Sequence, residues 1–114
     1  MSFNTQNNLS KLKNALTSIQ GLSVYHYRHP SGISPPYIVW AEDGEGDSLH
    51  TGNHKAQQVI TGTIDYFTKN EFDQTIDSIQ NALNTVENLG WQLESVQYED
   101  ETNLIHYEWI FEVA

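Results

Sequence analysis

The 114 residues carry fifteen Asp and Glu against five Lys and Arg, a net charge of -10, with 38% hydrophobic residues and no cysteine. A chain of this length buries roughly two thirds of its extended surface, which fits one domain spanning 1–114. The absence of cysteine excludes disulfides, thiolate nucleophiles and Cys-based zinc sites. The charge repels phosphate backbones, so direct nucleic-acid binding is not expected, and no stretch approaches the ~20 consecutive apolar residues of a membrane span.

In chain order, Leu9, Leu12, Ala15, Leu16 and Ile19 repeat at the spacing of one helix face, with Gly21 as a stop. Leu22 to Tyr27 is rich in β-branched and aromatic residues and reads as a strand, followed by a breaker loop through His29-Pro30-Ser31-Gly32 and Pro35-Pro36. Tyr37 to Ala41 is a continuous apolar run, expected as a strand in the middle of a sheet. Glu42 to Lys55 combines glycines, acids and two histidines with Leu49 as its only large apolar residue, and is expected to be a mobile loop.

Ala56 to Thr68 reads as a long strand, with Ile60, Gly62, Ile64 and Tyr66 on one face. Asn70 is the expected cap of a second helix whose apolar positions are Phe72, Ile76, Ile79, Leu83 and Val86, stopped by Gly90. Trp91 to Glu99 and Asn103 to Val113 form a hairpin around Asp100-Glu101-Thr102. The change of parity between Leu93 and Val96 predicts a bulge near Glu94-Ser95, and the alternation of the second arm places Trp109 in the core. The order αβββαββ makes an α+β domain, a mostly antiparallel sheet of about five strands with two helices packed on it.

The motifs that carry catalysis are missing. The pairs His26/His29 and His50/His54 have spacings open to a metal, but Gly52-Asn53 argues against a helical i, i+4 site, and His106 reads as a solvated strand residue. The acidic run from Asp43 puts Ser48 and His54 where a calcium loop needs Gly and Glu. Neither a nucleophile elbow nor a phosphate loop is present, so no enzyme, cofactor or metal is expected.

Three stretches carry a resemblance: Tyr37 to Ala41 running into the acidic loop, Gly62-Thr63-Ile64-Asp65-Tyr66-Phe67, and the closing strand through Tyr107-Glu108-Trp109. From Pro35 to Val113 the chain resembles the tail-terminator or tail-completion proteins of long-tailed phages and prophages of Gram-positive bacteria. That resemblance implies a structural virion protein, made in the host cytoplasm, that forms a six-membered ring on the head-proximal end of the tail. Its partners would be further copies of itself, the tail tube protein and the head connector or stopper. The candidate assembly loop is Glu42, Asp43, Glu45, Asp47, His50, His54 and Lys55. Three alternatives remain: another neck or minor tail protein, an acidic DNA-mimic inhibitor, and a metal-dependent enzyme using His50 and His54.

Overall fold

The computed structural model describes residues 3–46 and 57–114. Its element order is α1 (Thr5–Thr17), β1 (Ser23–His26), β2 (Tyr37–Glu45), β3 (Ile60–Thr68), α2 (Gln74–Leu83), β4 (Leu89–Glu99) and β5 (Leu104–Val113). The strands form one sheet in the order β1-β2-β3-β5-β4, with β1 parallel to β2 and every other pairing antiparallel. This is the α+β arrangement expected from the sequence.

Both helices lie on one face of the sheet. Leu9, Leu12 and Leu16 of α1 and Ile79 and Leu83 of α2 meet Ile38, Trp40, Ile64, Tyr66, Trp109, Phe111 and Val113 in a single buried cluster. Each fully buried aliphatic side chain there contributes roughly 1.5 to 3 kcal/mol. The helices are also pinned by polar contacts. Asn8 donates to the carbonyl of Ala114, and Trp109 Nε1 donates to Gln80 Oε1 at 3.2 Å.

Several boundaries differ from the periodicity. α1 begins at Thr5 because its first turn buries polar groups: Thr5 is 4% exposed and donates to Gln58 Oε1. Apolar spacing is blind to such a turn. The cap of α2 is Asp73, not Asn70; its carboxylate accepts the Thr75 N–H at 2.9 Å. Phe72, ahead of that cap, has φ of 54° and is 93% exposed, so it is not part of the helix face. The helix ends at Leu83, and Asn88, at φ of 63°, makes the left-handed step while Gly90 lies inside β4. Val86 is buried although it lies beyond the helix, its N–H donating to the Leu83 carbonyl in a short turn.

The expected bulge is present: Leu93 pairs with Trp109 and Ser95 with Glu108, leaving Glu94 as the extra residue. A second bulge, between Glu42 and Gly44, falls where the sequence suggested loop. β2 runs on to Glu45 because β3 supplies partners, pairing Gly62 with Glu42, Thr61 with Gly44 and Ile60 with Glu45. Glu42, Asp43 and Glu45 are therefore strand residues, a correction to the expected loop at 42–55. Backbone pairing outweighs their poor strand propensity.

Candidate assembly surface

Of the residues assigned to an assembly loop, the structure places Glu42, Asp43 and Glu45 on the outer end of β2 but divides them, Glu42 meeting His26 and Tyr27 while Asp43 meets Thr61. Asp47, His50, His54 and Lys55 lie outside the described residues. Glu42 is the centre of a small cluster. One carboxylate oxygen lies 2.7 Å from His26 Nε2 and the other accepts the Tyr27 hydroxyl at 2.8 Å. The His26 ring stacks between Trp40 and Tyr27, with centroid distances of 3.9 and 3.8 Å. Tyr27 is placed by a left-handed φ of 74°, which turns it back over His26.

Burial works to raise the Glu42 pKa, but hydrogen bonds from His26 and Tyr27 outweigh it and hold the carboxyl below its ordinary value. The same bond to Glu42 pushes the Tyr27 hydroxyl up. His29, the other member of the His26/His29 pair, has its Nδ1 2.7 Å from the Pro30 carbonyl and its ring tilted against Tyr37. Among the described residues no group of three or more His, Cys, Asp or Glu is placed to hold a metal ion.

On the sheet face turned away from the helices, Tyr37, Phe67 and His106 occupy one register row across β2, β3 and β5. Their rings stack in sequence, at 4.9 Å for the first pair and 4.3 Å for the second. His106 is thus not the solvated residue expected from strand alternation: its side chain is 22% exposed and its Nε2 is 2.7 Å from Asp65 Oδ1. Alternation places a residue on a face but does not reveal that this face carries its own aromatic row. Burial, with the charge of Glu99, raises the Tyr37 pKa.

Farther along the same face, Asp43, Thr61, Thr63, Gln92, Ile110 and Glu112 surround an open groove of about 560 Å³. Thr61 Oγ1 donates to Asp43 Oδ1 at 3.0 Å across its floor. Gly90, opposite Glu112, leaves the rim low. Among the described residues the lining offers hydroxyls, an amide and carboxylates but no Lys, Arg or His to supply positive charge.

On the helix-side face the hairpin is less well covered. Trp91 Nε1 donates to Asn84, the C-cap of α2, at 2.9 Å. Beyond it Leu93, Val96 and Tyr98 on the edge strand β4 are 38%, 50% and 59% exposed. No motif search would have flagged these three; the signal in the sequence was the parity change itself, which keeps all three on the helix side.

No protein-family model matches the chain, and no curated protein matches it. Among solved structures, a chain of the virion of the native gene transfer agent particle is similar over 98% of this chain and 97% of that one, with a TM-score of 0.59 and 14% identity. At that identity the likeness is one of fold. Among the described residues, no helix is long and apolar enough to cross a membrane.

Proposed function

We propose that the chain is a non-enzymatic structural protein of a phage-like virion, a ring subunit that caps the tail tube at its head-proximal end and helps join tail to head. The observation that carries this reading is the near-complete overlap of its fold with a chain of a gene transfer agent virion, with no large insertion on either side. Whole-chain overlap favours a shared architectural role over a shared module inside an unrelated enzyme. The three sequence stretches that resemble tail-terminator proteins map onto β2, β3 and β5, the adjacent strands in the middle of the sheet. The acidic surface suits a passage through which DNA must move without adhering. The six copies in the ring would contact the tube protein on one rim and the connector or stopper on the other.

The test is reconstitution. Tails assembled without this protein should have tubes of uncontrolled length and should not join heads, and adding the purified protein should fix length and restore joining. If tube length and joining are the same with and without it, the reading is wrong and another position in the neck or tail has to be sought.

A further inference from the structure

The charge of the chain is unevenly distributed along it. Residues 1–41 contain Lys11, Lys13 and Arg28 and no acid, while all fifteen Asp and Glu and the other two cations fall from Glu42 onward. The fold makes this a partial spatial asymmetry. β1 and β4 are opposite edges of the sheet and α1 lies over the sheet, touching α2, β1 and β5, while Glu42, Asp43 and Glu45 stand on β2, the neighbour of β1. The β4 side carries Glu94, Glu99, Asp100 and Glu101 in the strand and its turn.

Along β4 the exposed Leu93, Val96 and Tyr98 pair with Trp109, Tyr107 and Ile105 of β5 and so share the helix-side face. The helical layer that covers this face elsewhere stops short of them. A partner for this strip needs apolar contact along the stripe, cations at its borders and few acids of its own. α1 meets the charge half of this: TQNNLSKLKNALT contains no acid and Lys11 and Lys13 are exposed on it, while its leucines are buried in the core, so the apolar contact falls to the lysine stems and to Phe3, 52% exposed just before the helix.

We infer that the α1 flank of a second copy of this chain docks on the Leu93, Val96 and Tyr98 stripe of β4. Lysine stems cover apolar surface while their ammonium groups reach the neighbouring carboxylates. The contact is head to tail, joining the acid-free α1 of one copy to the acidic edge of the next and continuing the helical layer from subunit to subunit. Heterologous contacts of this kind close into rings when the rotation per step allows it. A contact of β4 with β4 would instead set Glu94 and Asp100 of one copy near the same acids of the other, and like charges oppose it. The inference rests on the ring reading above and deepens it by assigning the surface.

Charge exchange tests it. Lys11→Glu with Lys13→Glu, and separately Glu94→Lys with Asp100→Lys, change exposed residues, so far-UV circular dichroism and the melting temperature report whether each variant still folds. In sedimentation experiments the wild type should self-associate with increasing concentration, more weakly at high salt. Each double variant should self-associate at least about tenfold more weakly. A one-to-one mixture of the two, and a single chain carrying all four changes, should recover assembly, because each then presents complementary surfaces again.

A wild type that stays monomeric at every concentration and salt, double variants that assemble normally, or failure of both rescues overturns the inference, the last pointing to a different basic protein as occupant. If the rescues work but the rings do not engage tail tubes, the surface stands and the tail-capping reading fails. If tubes are capped and the exchanges change nothing, the reverse holds.

Discussion

Asp73 shows how much one side chain organises. Its carboxylate caps α2 through the Thr75 N–H and also accepts the hydroxyls of Tyr66 at 2.6 Å and Thr68 at 2.7 Å. Burial opposes ionisation, but these three donors win and hold its pKa below the ordinary 3.8. A carboxyl depressed in this way contributes stability that is complete above its unfolded value and is lost as pH falls through the folded one. Asp73→Ala should cost about 2 to 4 kcal/mol by denaturant titration at neutral pH, from the lost cap and two stranded hydroxyls. The gap between wild type and variant should narrow below about pH 4; a gap constant into acid would mean that the charge of Asp73 is not what matters. At the alkaline end Tyr66, pushed up to about 12 by burial and by its bond to Asp73, resists ionisation in the fold. Its share of stability is full below the unfolded value of about 10 and is lost as pH rises from there through the folded value. Tyr66→Phe should therefore flatten the alkaline part of the melting profile. Gly62 makes a different point: a Cβ there would strike the Ala41 carbonyl oxygen and the Phe111 ring, the latter packed over the strand opposite. Gly62→Ala should cost about 1 to 3 kcal/mol or more, since backbone rather than a flexible side chain stands in the way.

Among the elements, β5 carries the core most directly. Trp109 is fully buried, as its alternation with Glu108 and Ile110 predicts, and its indole N–H reaches Gln80 of α2. Trp109→Ala should destabilise the fold by about 3 to 5 kcal/mol, measured by chemical denaturation; a loss below about 1 kcal/mol would mean that the helix does not close over this strand. The success at β5 explains what was legible. Strict alternation over ten residues has one consistent burial solution, so strand and face follow from it, and the bulge in β4 follows from the change of parity between Leu93 and Val96. The boundaries went astray where polar groups do the packing. Thr5 and Asn8 bury themselves through hydrogen bonds, and Asp73 takes the cap that Asn70 could equally have formed by composition. The acidic end of β2 was illegible for a related reason: Glu42 to Glu45 form a strand through pairing with β3, a non-local gain that no window of local sequence contains. Spacing shows His26 only as half of the His26/His29 pair and alternation shows His106 only as solvated, because ring stacking and carboxylate contacts arise only once distant strands are side by side.

At the scale of the whole molecule the charge sets behaviour in solution. With a net charge of -10 the chain has no counterion-release term to draw it to DNA, so no saturable binding to duplex should appear in an anisotropy titration at physiological salt. Micromolar binding would show that the acid-free surface of α1, with Lys11 and Lys13, dominates locally over the total. The same charge acts on the fold itself. The molecule measures 51 × 26 × 25 Å, less than twice the Debye length of about 30 Å at 0.01 M, so its acids repel one another at low salt. Unfolding spreads those charges apart, and folding therefore works against a repulsion that salt removes. The His26–Glu42 and His106–Asp65 contacts, each at 2.7 Å, are hydrogen bonds between partly buried groups, which salt screens little. The melting temperature of the monomer should consequently rise between low salt and about 1 M sodium chloride, where the Debye length is ~3 Å. Self-association through α1 and the acidic edge should weaken over the same range, so the two curves should run in opposite directions. A melting temperature that falls with salt would place the balance of the fold's electrostatics in surface attraction, and would require exposed ion pairs to outweigh the excess of acids.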